Sequence, residues 1–183
     1  MSALLRFDDV TLKRGGRLLF ERLSFALAPG EVLQVTGPNG SGKSSLLRLA
    51  AGLLTAESGS VSRSPLALAD DHPALDRELS LKRALDFWAS NPVTAMESFG
   101  LARLAEIPVR FLSSGQLKRA TLARVAASTA PLWLLDEPLN ALDSDGAERL
   151  SRMIVNHTSG GGAVLAASHQ PLPGDWRRIE LQP

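Results

Sequence analysis

Gly37-Pro38-Asn39-Gly40-Ser41-Gly42-Lys43-Ser44 is the stretch from which the rest of the chain is read. It follows Glu31-Val32-Leu33-Gln34-Val35-Thr36, which reads as a strand leaving the Pro29-Gly30 turn, and it precedes a helix-like stretch from Ser44 to Ala51. A glycine-rich loop between a strand and a helix, closed by Lys and Ser, is the context a phosphate-binding loop requires. The glycines let backbone N–H groups converge on phosphate oxygens, and the helix N-terminus adds a favourable dipole. Gly37, Pro38, Asn39, Gly40, Ser41, Gly42, Lys43, Ser44 and the adjoining Ser45 are therefore candidate nucleotide-binding residues. Lys43 is expected to reach the β- and γ-phosphates and the Ser44 hydroxyl to coordinate Mg²⁺. The competing reading is a glycine-rich turn with a chance lysine, against which the flanking elements speak.

Working outward, Leu4 to Val10 and Leu23 to Ala28 read as strands separated by the turn-forming Lys13-Arg14-Gly15-Gly16, an antiparallel β start. Downstream come short segments around Val61 and from Leu66 to Ala69, then helical stretches from Ser80 to Ser90 and from Thr94 to Ala105. A helix is expected from Gly115 to Ser128, a strand from Leu132 to Leu135, a helix from Ser144 to Asn156 and a strand from Ala163 to Ala167. Alternating β and α elements predict a parallel sheet covered by helices. The whole chain, 1–183, reads as one domain, with residues 72–110 as a small helical insertion.

Composition bounds the function from the other side. The chain has 44% hydrophobic and 21% charged residues, the balance of a soluble globular protein. With 20 basic against 19 acidic residues, the net charge of +1 gives no overall field to hold nucleic acid or an anionic bilayer. The absence of cysteine excludes disulfides, thiolate metal sites and thiol chemistry. Asp8 and Asp9 stand where a signal peptide would need its apolar stretch, so export is not expected. The apolar runs from Leu46 to Leu54 and from Leu132 to Leu135 are far shorter than the roughly 20 residues of a membrane span. A role at a membrane would leave the spanning to another chain.

Leu132-Trp133-Leu134-Leu135-Asp136-Glu137 is an apolar strand ending in two carboxylates, at the sheet edge where ligands bind in open α/β folds. Asp136 is expected to hold Mg²⁺, directly or through water, which leaves Glu137 to orient or deprotonate an attacking water. By itself an Asp-Glu strand end is as well explained by a solvated turn.

Leu112-Ser113-Ser114-Gly115-Gln116, lying between the loop and this strand, resembles the signature motif of ATP-binding cassette ATPases. The resemblance implies an α/β P-loop NTPase fold of cassette type, a mixed sheet with an antiparallel β start, and a small helical subdomain. It further implies ATP and Mg²⁺ as cofactors, and a head-to-tail dimer in which Ser113, Ser114, Gly115 and Gln116 cap the γ-phosphate held by the second copy. Asn140-Ala141-Leu142-Asp143 is similar to the family's D-loop, and His169 to its switch histidine, a catalytic residue that contacts the γ-phosphate. Standing alone, Ser-Ser-Gly before a helix is an ordinary N-cap, and a histidine after a strand is an ordinary structural or surface residue; His72 and His157 keep that reading. Three positions depart from the family pattern. Asp71 stands where a glutamine usually links the nucleotide to the transmembrane partner, and its carboxylate can still approach Mg²⁺ or water; Arg14 stands where an aromatic stacks on adenine, and Ser114 where glycine is usual. A guanidinium plane can also stack on a base.

A longer likeness runs over nearly the whole chain to the ATP-binding subunits of bacterial haem exporters used in cytochrome c maturation. It is carried by Arg14 to Phe20, Glu31 to Leu54, Ala130 to Pro138 and Gly161 to Leu172, the last ending in His169-Gln170-Pro171-Leu172. It implies a transport-coupled ATPase, a translocase, held peripherally on the cytoplasmic face of the inner membrane by integral membrane subunits, and powering haem export or release of a haem-loaded chaperone. No residue points to haem binding by this chain, and His72 beside Pro73 reads as a loop residue. Phe87 and Trp88 read as core residues, with packing on a partner as the alternative. An ATPase for a lipid or metal transporter, a non-transport cassette protein acting on nucleic acid or ribosomes, and a binding module that no longer hydrolyses ATP are the rival readings.

Overall fold

The computed structural model describes residues 2–88 and 91–182. Its strands form two sheets of different character. β1 (Leu5–Arg14) and β2 (Arg17–Leu27) pair antiparallel across the Gly15-Gly16 turn, and β4 (Ser58–Arg63) pairs antiparallel on the other side of β1. The second sheet is parallel throughout. In the order β5 (Leu66–Ala69), β6 (Leu132–Asp136), β7 (Ala163–Ala167), β3 (Val32–Thr36), β8 (Arg177–Glu180), each strand bonds to the next. Antiparallel and parallel pairing are thus segregated, with the antiparallel start forming a sheet of its own.

The sequence of β6 and β7 explains their central place. Both are apolar at nearly every position and buried along their full length, as strands covered on both faces must be. Alternate side chains then serve opposite faces. Leu132, Leu134, Ala163 and Leu165 join Leu33, Leu46, Leu47, Leu5 and Phe7 in the layer made with α1 (Lys43–Ala51) and the antiparallel sheet. Trp133, Leu135, Val164 and Ala166 join Leu81, Leu85, Met96, Phe99 and Leu122 in the layer beneath the remaining helices. These are α2 (Leu81–Asp86), α3 (Pro92–Ser98), α4 (Ser114–Ala127) and α5 (Ser144–Ser159), with 3₁₀ turns at Ala102–Leu104 and Val109–Phe111.

The helix expected from Ser80 to Ser90 is observed as α2; its last expected residues, 89 and 90, lie outside the described residues. The helix expected from Thr94 to Ala105 begins earlier and ends sooner. Asn91 caps it by accepting from the Thr94 amide at 3.4 Å, and Pro92 supplies the fixed φ of a first helical position. The chain then breaks at Phe99-Gly100 and resumes as a 3₁₀ turn. Strand β8 has no counterpart among the sequence expectations. Arg177-Arg178-Ile179-Glu180 shows neither an apolar run nor alternation, because it is an exposed edge strand held mainly by its backbone ladder to β3.

Candidate functional site

The loop from Gly37 to Gly42 crosses the C-terminal end of β3 with a backbone that side chains would obstruct. Gly37 has a φ of +139°, and a Cβ there would overlap the Leu181 carbonyl oxygen. Gly42, in a left-handed conformation, precedes α1, and no side chain caps the helix, so its first N–H groups remain available to an anion. Lys43 is only 7% exposed and folds back over the loop, its Nζ donating to the carbonyls of Gly37 at 2.8 Å and Pro38 at 3.0 Å. The buried Ser41 Oγ has no hydrogen-bond partner. A cleft of about 410 Å³ opens here, lined by Arg14, Leu19, Asn39, Lys43, Ser44 and Glu137 among others. Arg14 is held at its rim by a 3.4 Å hydrogen bond from Nη1 to Ser45 Oγ.

The two carboxylates sit at the end of β6 with different surroundings. Asp136 is buried and its Oδ1 has no partner. Burial pushes its carboxyl above the usual carboxylate range; contact with the Ser44 hydroxyl opposes this, Asp71 and Glu137 add to it, and Lys118 works against it. An orphaned carboxylate oxygen beside a serine hydroxyl is an oxygen-donor pair of the kind a hard cation takes. Among the described residues no group of three or more His, Cys, Asp or Glu is placed to hold a metal ion by itself.

Glu137 turns away from the strand with φ +43°, a left-handed value uncommon for a residue with a side chain, while its N–H bonds the Ala167 carbonyl at 2.8 Å. That turn carries its carboxylate to His169. His169 Nδ1 lies 2.9 Å from Glu137 Oε2, and the His169 amide donates to the same oxygen at 3.4 Å. Glu137 faces the loop cleft on one side and, on the other, a cleft of about 230 Å³ bordered by Asp70, Asp71, Ser114, Lys118 and Asn140. The exposed Asp71 is therefore placed on the Lys118 side of the carboxylates.

Lys118 belongs to this site and was not singled out from the sequence. Its Nζ donates to the Asp136 carbonyl at 3.0 Å. Desolvation pushes the ammonium below the usual lysine range, and Asp136, Asp71, Glu137 and Asp70 hold it up. Its one sequence signal is helical spacing: four residues after Ser114, it shares a face of α4 with the signature segment.

The signature residues themselves stand apart from the loop cleft. Ser113 Oγ accepts from the Gln116 amide at 3.3 Å while Gln116 Oε1 accepts from the Ser113 amide at 2.9 Å, a reciprocal capping box. Ser113, Gly115 and Gln116 border a separate cleft of about 330 Å³ with Gly100, Arg119 and Asp143. Gly115 approaches the 140–143 segment so closely that a Cβ would lie 2.8 Å from the Ala141 carbonyl oxygen. That segment is itself fixed: Asp143 caps α5 by accepting from the Gly146 amide at 2.8 Å and pairs with Arg119 of α4.

The other singled-out residues lie outside these clefts. His72 is exposed beside Asp70. His157 stacks on Trp133 with ring centroids 3.8 Å apart. Phe87 is 82% exposed, contrary to the core expectation, and Trp88 is partly so; the Trp88 indole donates to the Ala74 carbonyl at 3.1 Å with Arg124 over its ring. Among the described residues no helix is long and apolar enough to cross a membrane.

Comparison with known proteins agrees with this geometry. Residues 20–140 match the ABC transporter family. The chain is 52% identical over 177 residues to the cytochrome c biogenesis ATP-binding export protein CcmA of Sphingopyxis alaskensis, covering 92% of this chain and 91% of that one. The protein of the same name from Zymomonas mobilis is 47% identical, covering 99% and 86%. Among solved structures, an ATP-binding ABC transporter protein from Pyrococcus furiosus superposes with a TM-score of 0.84 at 23% identity, covering 97% of this chain and 96% of that one, which speaks to the fold alone. The family binds and hydrolyses ATP. The chain thus belongs to the ABC transporter family as an ATPase subunit, in the group of the cytochrome c biogenesis ATP-binding export proteins.

Proposed function

We propose that this chain is the nucleotide-binding subunit of a translocase that works in cytochrome c biogenesis, and that its ATP turnover powers haem export or the release of a haem-loaded chaperone. The observation carrying the hydrolytic part is the Glu137–His169 contact of 2.9 Å at the rim of the cleft that also contains Lys43 and Ser44. The biogenesis role is carried over from the relatives that bear that name.

In this reading the loop amides and Lys43 bind the β- and γ-phosphates, Lys43 exchanging its bonds to the Gly37 and Pro38 carbonyls for bonds to phosphate. Pro38, Asn39, Gly40, Ser41 and Ser45 complete the cradle, and Arg14 stacks on the base from the cleft rim. Ser44 and Asp136 would hold Mg²⁺, with Asp71 placed to reach it directly or through water; when bound, the ion would supply charge neutralisation to the phosphates. Glu137 accepts a proton from the attacking water or orients it, and His169 holds Glu137 and contacts the γ-phosphate. One such site lacks a cap on its open side. Ser113, Ser114, Gly115 and Gln116 supply it from a second copy, so the active species is a head-to-tail dimer.

The chain functions as one cassette domain in which residues 72–110 choose the partner. The exposed Phe87 and Trp88, with the exposed Phe111 just beyond that region, give it an apolar face for integral membrane subunits, which would hold the protein peripherally at the cytoplasmic face of the inner membrane. No nucleic-acid partner is proposed, consistent with the net charge of +1.

The test is Glu137→Gln. ATP turnover should fall by at least about 100-fold, with ATP binding retained and an ATP-dependent dimer accumulating in size-exclusion chromatography. Wild-type turnover by this variant would overturn the hydrolytic assignment. Affinity capture of the tagged chain from membranes should bring down integral membrane subunits, and their absence would remove the transport assignment.

A further inference from the structure

We infer that Gln34 is a positioning residue for His169, its carboxamide clamping from beneath the loop that carries the histidine. Gln34 is fully buried in the middle of β3, beside Ala166 of β7 and Arg178 of β8. Its Nε2 donates to the Gln170 carbonyl at 2.7 Å and reaches the Ser168 carbonyl at 3.5 Å, the two peptide groups that bracket His169. Ser168, buried as well, braces the same loop: its amide donates to the Val35 carbonyl at 3.1 Å and its Oγ accepts from the Gln170 amide at 3.1 Å. His169 emerges from this bracket toward Glu137.

The energetics single out the clamp as the gain from an amide at this position. Gln34 Oε1 is buried with no hydrogen-bond partner, a cost that an aliphatic side chain of the same size would not carry. Packing of a central parallel strand is served as well or better by such an aliphatic residue. What the amide adds is the pair of contacts to residues 168 and 170. Because β3 runs directly into the phosphate loop, Gln34 joins the loop that holds Lys43 to the loop that holds His169 through one side chain.

The inference rests on the assignment of Glu137 and His169 to hydrolysis, and its test separates the two. In the full-length chain, Gln34→Met is compared with wild type, His169→Ala and the double variant. The expected result is a kcat lowered about tenfold with KM for ATP within about twofold, and no further loss when Gln34→Met is added to His169→Ala. In the nucleotide-free chain, the His169 ring resonance, assigned by its loss in His169→Ala, should shift in Gln34→Met. An unchanged resonance, or a loss in kcat that multiplies with that of His169→Ala, overturns the clamp. Gln34→Leu repeats the comparison with a second side chain. A Gln34 side-chain amide exchanging as fast as exposed glutamines in the wild-type chain overturns it however either variant folds. Undiminished turnover in Glu137→Gln and His169→Ala would instead defeat the hydrolytic assignment, while the resonance and exchange readouts would still decide the clamp.

Discussion

Lys118 donates from Nζ to the carbonyl oxygen of Asp136 at 3.0 Å, so the helix that starts at the signature segment is tied to the end of the carboxylate strand within one chain. Replacing Lys118 by Met strands a buried carbonyl and removes the cation beside Asp70, Asp71, Asp136 and Glu137. The expected cost is about 1–3 kcal/mol, read as a lower urea midpoint with an unchanged m-value. A midpoint equal to wild type would mean that water replaces the ammonium without loss.

Asp136→Asn is expected to move stability and activity in opposite directions. The folded-state carboxyl of Asp136 is raised by burial, so the native state binds its proton more tightly than the unfolded chain does. The associated stability is fully present below the unfolded value, near pH 3.9, and is lost as pH rises through the folded value. At pH 7 the neutral amide removes that penalty, and the melting temperature of the nucleotide-free chain should rise while Mg²⁺-dependent turnover disappears. A fall in melting temperature at pH 7 would contradict the burial argument.

His157 gives the opposite slope with pH. It stacks on Trp133 at an interplanar angle of 11°, its Nε2 lies 3.1 Å from the Pro131 carbonyl, and burial holds the imidazole below its usual range. The unfolded chain therefore takes up the proton first, near pH 6.5, and stability present above that pH is lost as the pH falls toward the folded value. Urea midpoints of wild type should drop between pH 7 and pH 5, and His157→Phe, which keeps a ring against Trp133, should drop less. Equal drops in both proteins would place the proton uptake elsewhere.

Gly115→Ala tests the junction between α4 and the 140–143 segment. A methyl group 2.8 Å from the Ala141 carbonyl oxygen forces backbone to move, since no flexible side chain can yield. In the Glu137→Gln background the ATP-dependent dimer should weaken by about tenfold or more, with the monomer's melting temperature lowered by only a few degrees. Retention of the dimer would show that the contact between chains tolerates the displaced segment.

The elements built from continuous apolar runs are legible in the sequence alone. Leu132 to Leu135 and Ala163 to Ala167 announce covered parallel strands, and Gly37 to Ser44 names its own neighbours by composition. Lys43 follows from the end of that loop, and the carboxylates from a strand end read together with the loop upstream, whereas His169 follows only from the resemblance to the cassette family. Strand β8 was invisible, since Arg177 to Glu180 pairs through backbone atoms that no side-chain pattern reports. Lys118 and Gln34 were invisible for a related reason: both act on carbonyl groups, at residues 18 and 136 positions away in the chain. Phe87 was misread because an exposed aromatic and a core aromatic look alike until the helix face is known.

The order β6-β7-β3 places the segments that follow these strands side by side along one rim: residues 136–137, then 168–170, then 37–42. His169 therefore occupies the middle seat, touching the acid on its left through its own ring and tethered to the strand on its right through Gln34. A shift of that middle segment would disturb its contact with the carboxylate, its tether to the strand that leads into the phosphate loop, or both.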